Sequence, residues 1–418
     1  MGQDRYMEWD SSGGGLLHTP GGVKDTYGVL CANKLKVQDA VHNVLRSYGF
    51  RDIQTPAFEY FDIFSKERGT VASKEMFKFF DRGNNTLVLR PDMTPPIARC
   101  VAKYYKDEHM QLRLCYIGNT FVNTDKYKGK LQEVTQAGAE LFNDGSSDAD
   151  AEMVALTAEC LLKSGLKEFQ IEAGHAGFFN GLAEEAGFSE KDTAKLRSLI
   201  ESKNFFGVED LLDNLTVSKE LKEIFLKLPD MLNNLDEAID FVKARSKSEM
   251  VYKAMERLKK LESIIQSYGF GDYVTIDLSM LSNYNYYTGV IFRAYTYGNG
   301  EAVATGGRYD GLVSQFGKEA PAIGLAIVID QLMTALSRQK LLGTDIVQGI
   351  IILYPQSLRD VALKNAEEMR GKGKIVQLVR KSSSVPLEEY KEYAKRMGIE
   401  RILYLKSEDE TEDWGILI

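Results

Sequence analysis

The chain has 418 residues, of which 44% are hydrophobic and 27% charged, with a net charge of −8. Such a length supports two or three domains with their own cores, and the composition excludes a fibrous, disordered or membrane-embedded chain. The acidic balance argues against a nucleic-acid partner, because phosphate contacts need clustered Lys and Arg, although a basic patch can sit on an acidic protein.

The densest basic stretch, 243–260, holds Lys243, Arg245, Lys247, Lys253, Arg257, Lys259 and Lys260. Glu249 and Glu256 interrupt it at helical spacing, which favours a solvated helix face over an RNA-binding strip. Cys31, Cys100, Cys115 and Cys160 form no CxxC pair, so free thiols in a reducing compartment are expected. His18, His42, His109 and His175 have no metal-ligand spacing, and no metal site or cofactor is expected. The N-terminus has no secretion signal, and no apolar run approaches the roughly 18 residues of a membrane span. A cytoplasmic protein is the expectation.

In chain order, residues 1–16 are polar, end in Gly13-Gly14-Gly15, and predict a flexible arm. Thr19-Pro20-Gly21-Gly22 is turn chemistry. Residues 32–48 predict a helix, with Leu35, Val37, Val41, Val44 and Leu45 on one face and Gly49 as its C-cap. Strands are predicted at 86–90, 112–121 and 132–142. The last two flank a polar turn-rich loop, 123–130, which suggests an antiparallel hairpin with its loop over a ligand site.

From 174 to 260 the apolar residues, among them Leu182, Leu196, Ile200, Leu211, Leu212, Leu221, Ile224 and Met255, recur at helical intervals and predict an inserted helical subdomain. Strands return at 274–278, 290–295, 302–306 and 323–328, and a helix at 329–337 packs behind the last. After a linker at 337–345, strand and helix alternate at 349–353, 358–371, 375–379, 387–397 and 401–405. That alternation predicts a small C-terminal α/β domain with a mostly parallel sheet. The expected division is an arm at 1–16, a core made of 17–173 and 261–340, a helical insertion at 174–260, and a C-terminal domain at 345–418.

Four peptides carry candidate chemistry. Leu89-Arg90-Pro91-Asp92-Met93-Thr94 presents Asp92 and Thr94 at a strand end, where either serves to cap a helix starting at Pro95-Pro96 or to meet an ammonium group. In Gln136-Ala137-Gly138-Ala139-Glu140, Gln136 and Glu140 share a face at period two. Gly138 between them leaves the space of a small-molecule floor, or the face is simply solvated. Tyr284-Asn285-Tyr286-Tyr287-Thr288-Gly289 and Gly306-Gly307-Arg308-Tyr309-Asp310-Gly311 place tyrosines beside glycines. They are either core tyrosines and a hairpin turn, or the apolar faces and hydroxyls that an imidazole needs at both ring nitrogens.

Segments 112–142, 280–292, 305–317 and 321–332 together resemble the catalytic segments of class II histidyl-tRNA synthetases. The resemblance implies an α+β fold: a six-stranded antiparallel sheet flanked by helices, with a helical insertion and an anticodon-binding-like C-terminal domain. It also implies a histidine pocket formed by Asp92, Thr94, Gln136, Glu140, Tyr286, Tyr287 and Tyr309. In the synthetases, three arginines of these segments hold ATP phosphates and the activated carboxylate. Here those positions read Val122, Ser282 and Gln331.

That combination resembles the regulatory subunits of ATP phosphoribosyltransferase, which carry no chemistry of their own. Membership would imply a homodimer within a hetero-octamer, a short-form catalytic subunit as partner, and histidine as feedback effector. Two rivals stay open: an active histidine–tRNA ligase, which the three replacements oppose, and a stand-alone histidine sensor.

Overall fold

The computed structural model describes residues 17–64, 71–124, 130–231, 234–281, 286–343 and 349–416. The expected arm at 1–16, most of the 123–130 loop, Ser282, Tyr284 and Asn285 lie outside them. The chain divides into two compact units, Met1–Asp25 with Val37–Leu341, and Thr26–Lys36 with Leu342–Ile418.

Helix α1 (Gly28–Ser47) buries Val37, Val41, Val44 and Leu45. Gly49 takes φ of 83°, a left-handed turn that suits glycine, and its N–H reaches the Arg46 carbonyl. Next come β1 (Arg51–Asp52), β2 (Phe58–Tyr60), β3 (Lys78–Phe80) and β4 (Thr86–Leu89). Strands β2, β4 and β3 form a small antiparallel sheet. Helix α2 (Thr94–Tyr104) starts with prolines in its first turn, where no intrahelical N–H is needed.

β5 (Leu112–Phe121) and β6 (Glu133–Phe142) pair antiparallel along their whole length, from Leu112↔Phe142 to Phe121↔Glu133. Helix α3 (Ser147–Lys163) begins at Ser146, whose hydroxyl accepts the Ala149 N–H. β7 (Phe169–His175) leads into six helices: α4 (Ala176–Glu185), α5 (Glu190–Glu201), α6 (Phe205–Asp213), α7 (Lys219–Lys227), α8 (Leu235–Lys243) and α9 (Glu249–Tyr268). Each follows a residue whose side chain accepts an N–H of the first turn: His175, Ser189, Asn204, Ser218, Asn234 and Ser248.

Leu196, Ile200, Leu211, Leu212, Leu221, Ile224 and Met255 are buried there, as their spacing predicts. Helix α9 runs on to Tyr268 because Leu261 and Ile265 keep packing inward. In the basic stretch, Arg245, Lys253, Arg257 and Lys259 are all in ion pairs within the unit; Lys253 is on a solvated face, while Arg257 turns inward to the buried Asp150.

The unit closes with β8 (Val274–Ile276), β9 (Val290–Thr296), β10 (Ala304–Arg308), β11 (Ala322–Val328) and α10 (Ile329–Arg338). The main sheet has eight strands in the order β1-β5-β6-β11-β10-β9-β7-β8. Its inner six are antiparallel, as expected, while the edge strands β1 and β8 pair parallel to β5 and β7. β1 is only 2 residues long, too short to leave an alternating pattern, while β8 is a 3-residue part of the strand expected at 274–278. Gly306 and Gly307 sit inside β10, so the second glycine peptide is not a hairpin turn.

The smaller unit contains β12 (Gly349–Tyr354), α11 (Arg359–Gly371), β13 (Ile375–Arg380), α12 (Leu387–Met397), β14 (Arg401–Leu405) and β15 (Thr411–Gly415). Its sheet order is β13-β12-β14-β15, with the first three strands parallel and β15 antiparallel at the edge. Ile351 and Leu353 face one core with Tyr390 and Ala394 of α12. Ile352 faces another with Ala362 and Ala366 of α11, so helices cover both faces. Strand β15 escaped the sequence pattern because Thr411-Glu412-Asp413-Trp414-Gly415 has one strongly apolar residue. Among the described residues, no helix is long and apolar enough to cross a membrane.

Candidate amino-acid site

A cavity of about 670 Å³ lies over β6, β11 and β10. All seven expected residues line it: Asp92 and Thr94 from the turn into α2, Gln136 and Glu140 from β6, Tyr286 and Tyr287 ahead of β9, and Tyr309 just after β10. The face carrying Gln136 and Glu140 is therefore not a solvated strand side; Glu140 is 1% exposed.

Glu140 is the anchor. Its Oε1 accepts the Thr94 hydroxyl at 2.9 Å, and its Oε2 accepts the Tyr309 hydroxyl. Gly324 on β11 makes room for this carboxylate, since a Cβ there would stand 1.9 Å from Oε2. Burial pushes the Glu140 carboxyl up to about 8, the Tyr309 and Thr94 hydrogen bonds pull it down, and neighbouring Asp92 raises it. Burial and Glu140 together hold the Tyr309 hydroxyl well above its usual range, so it stays a donor.

Asp92 answers both readings of its peptide. Its Oδ1 accepts the Thr94 N–H at 3.0 Å at the start of α2, while its Oδ2 accepts the Tyr286 hydroxyl at 3.3 Å. The tyrosine rings pack edge to face, Tyr286 to Tyr287 at 4.9 Å and Tyr286 to Tyr309 at 5.8 Å. Gly307 allows this, because a Cβ there would meet the Tyr287 ring at 2.7 Å.

Gly138 does not leave an open floor. A Cβ at Gly138 would lie 2.4 Å from the Tyr116 hydroxyl and 2.5 Å from the Leu325 carbonyl oxygen. The gap is filled by Tyr116, its cross-strand partner on β5, which is fully buried. Tyr116 carried no sequence signal beyond strand alternation, and the pairing register alone brings it under the site.

Arg90 turns away from the cavity. Its Nη1 donates to the Thr55 carbonyl at 2.6 Å and its Nε to the Asn119 carbonyl at 2.8 Å, so it ties β4 to the start of the main sheet. Val122 and Gln331 do line the cavity, at the end away from Glu140; Ser282 lies outside the described residues. Around them stand groups that sequence reasoning missed. Gln331 donates to Glu301 at 2.8 Å, Lys130 pairs with Glu301 at 2.5 Å, and buried Asp330 accepts the Thr135 N–H at 2.8 Å.

Among the described lining residues, Asp92, Glu140, Glu301 and Asp330 stand against Lys24, Lys130 and Arg338. A triphosphate needs clustered guanidinium or ammonium donors or a bound cation, and here Glu301 already engages Lys130 and Gln331. The opposite end suits a small zwitterion with a hydrogen-bonding ring: a carboxylate for an ammonium, aromatic faces, and a Glu–Tyr pair for ring nitrogens.

Sheet topology, hairpin and pocket define a class II aminoacyl-tRNA synthetase-like protein. Residues 22–332 match the family described as histidyl-tRNA synthetase. The chain is 38% identical to the ATP phosphoribosyltransferase regulatory subunit of Acetivibrio thermocellus, over 95% of this chain and 94% of that protein. It is also 38% identical to the same subunit of Ruminiclostridium cellulolyticum, over 96% and 95%. A crystal structure of an ATP phosphoribosyltransferase regulatory subunit/histidyl-tRNA synthetase from Bacillus halodurans superimposes with a TM-score of 0.83 at 31% identity, covering 93% of this chain and 98% of that one. The chain belongs to the family of ATP phosphoribosyltransferase regulatory subunits, the non-catalytic relatives of histidyl-tRNA synthetase in histidine biosynthesis.

Proposed function

We propose that this chain activates a short-form ATP phosphoribosyltransferase catalytic subunit and carries histidine feedback to it through the cavity around Glu140. The observation that supports this most is the asymmetry of the cavity. Its amino-acid end keeps Asp92, Thr94, Glu140 and Tyr309 in one hydrogen-bonded cluster, while its far end has Val122, and Gln331 bound to Glu301. Asp92 takes the ammonium of histidine and Gln136 orients its polar end. Glu140, with Tyr286, Tyr287 and Tyr309, surrounds the imidazole.

The working assembly is a homodimer of this chain within a cytoplasmic hetero-octamer, with α1 and β1 as the dimerisation element and an isologous contact. Histidine occupancy and the state of the catalytic subunit then influence each other equally. Co-purification with the catalytic subunit of the same organism, together with assay of phosphoribosyl-ATP formation with and without histidine, tests the proposal. Activation by the wild type, with inhibition blunted in Glu140→Ala and Asp92→Ala, is the expected result. No complex at tens of micromolar would favour a stand-alone sensor. A complex whose inhibition is untouched by both substitutions would place the sensor elsewhere.

A further inference from the structure

Away from the cavity, three side chains from three elements converge. His42 on α1, Asp52 on β1 and Cys115 on β5 each present one donor atom, and the three atoms all lie within 4.8 Å of one another. Asp52 and Cys115 are direct partners in the parallel pairing of β1 with β5. His42 Nε2 lies 2.5 Å from Asp52 Oδ1, and Cys115 Sγ lies 3.7 Å from the same oxygen.

A cysteine nucleophile is a poor account of this group. An activated thiol needs an imidazole or a cation beside it. Here the carboxylate stands between thiol and imidazole. Burial and Asp52 push the Cys115 thiol up to about 12, away from reactivity.

Metal coordination fits the distances better. Zinc bonds of about 2.0–2.3 Å in tetrahedral geometry place neighbouring ligand atoms roughly 3.3–3.7 Å apart. The sulfur–oxygen separation of 3.7 Å already meets that. The imidazole–carboxylate pair needs to open by about 1 Å, and the Asp52 side chain, 55% exposed, has the freedom to swing. Nitrogen, oxygen and sulfur donors together select a borderline cation such as zinc over magnesium or calcium, which take oxygen ligands.

We propose that His42, Asp52 and Cys115 form a three-ligand site for a zinc-class divalent cation, its fourth position open to water. Binding replaces the Cys115 thiol proton, which passes to the buffer; Asp52 is already a carboxylate, and the proton that joins His42 Nε2 to Asp52 moves to Nδ1 so that Nε2 is free to coordinate. The bound ion pins α1 to the edge of the main sheet and stabilises the fold in proportion to its concentration. The ligands are 10 and 63 residues apart along the chain, counted from Asp52, so no spacing motif marks them.

Cobalt(II) titration of the full chain under reducing, chelator-free conditions is the test. A thiolate-to-cobalt absorption band should appear and be displaced by zinc. It should vanish in Cys115→Ser and persist in Cys31→Ser and Cys100→Ser, whose thiols are partly exposed. Because Cys115 is buried, a second variant guards against misfolding. His42→Ala, at a partly exposed position, should weaken cobalt binding more than about tenfold, the low end of what losing even an outer-shell partner costs. Zinc should raise the thermal midpoint of the wild type and leave that of His42→Ala unmoved. No band, a band surviving in Cys115→Ser, or equal binding by His42→Ala overturns the site and leaves a surface histidine–aspartate hydrogen bond.

Discussion

Gln331 gives its side-chain amide to Glu301 at 2.8 Å, while Lys130 holds the other carboxylate oxygen at 2.5 Å. The residue that the family resemblance expects to face phosphate is thus engaged by an acid of its own chain. An uncharged side chain at 331 and a lysine already paired with Glu301 leave fewer free donors for a triphosphate.

It follows that the purified chain should catalyse no histidine-dependent exchange of pyrophosphate into ATP. Each arginine that the resemblance expects and the chain lacks would have made a charge-assisted contact worth about 1.5–3 kcal/mol. Loss of one such stabiliser typically lowers rate on the order of 10²–10³. Gln331→Arg alone should restore nothing, because the new guanidinium would pair with Glu301. Exchange above background in the wild type, abolished by Asp92→Ala, would contradict the assignment.

Two glycines should fail differently when changed to alanine. At Gly138 a methyl meets the Tyr116 hydroxyl and the Leu325 carbonyl, a backbone atom that cannot yield, so the fold itself should lose about 1–3 kcal/mol. At Gly324 the methyl meets Glu140 Oε2, the end of a side chain. That carboxylate can move only by giving up Tyr309 and Thr94, so Gly324→Ala should remove histidine binding while costing less stability. Urea midpoints and calorimetry on both variants separate the two. Intact histidine affinity in Gly324→Ala would mean that Glu140 is not held where the ligand needs it.

These glycines also mark the limit of legibility in the sequence. The long strands β5 and β6 were readable because they flank a polar, turn-rich loop, and α12 and β14 because turn residues bracket them. Tyr286, Tyr287 and Tyr309 could be grouped from their peptides. Glu301 and Lys130 could not, because they sit in turn-rich stretches and meet only through the fold. The floor at Gly138 was misread for a related reason. Period-two alternation tells which face a residue shares, while the inter-strand register that brings Tyr116 opposite is set by the whole hairpin.

A buried charge group offers a sharper stability test. Asp150 at the N-terminus of α3 is fully buried; its Oδ1 receives Arg308 at 2.7 Å and its Oδ2 receives Arg257 of α9 at 2.6 Å. Removing the acid leaves Arg308, 5% exposed, without its main counter-charge. Asp150→Ala should therefore destabilise the larger unit by about 3–5 kcal/mol. Chemical denaturation checks this, and a loss below about 1 kcal/mol, the range of surface pairs, would show that water reaches the group.

The last expectation concerns pH. Burial raises the Glu140 carboxyl from 4.5 to about 8. Between these values the folded chain holds a proton that the unfolded chain has released. The folded state therefore binds more protons, and stability from this group falls as pH rises through that window, by at most about 1.4 kcal/mol per pH unit. Below the window both states are protonated and the group contributes nothing; above it the full cost of a buried, unneutralised carboxylate applies. Glu140→Gln keeps an acceptor for Tyr309 and cannot ionise. Its urea midpoint should match the wild type near pH 5 and exceed it near pH 8, with the difference growing steadily between. Histidine, whose imidazole would donate a hydrogen bond to the carboxylate, should stabilise the wild type at pH 8 more than it stabilises Glu140→Gln. Parallel pH profiles for the two proteins would mean that Glu140 is ionised throughout, with its charge balanced inside the empty pocket.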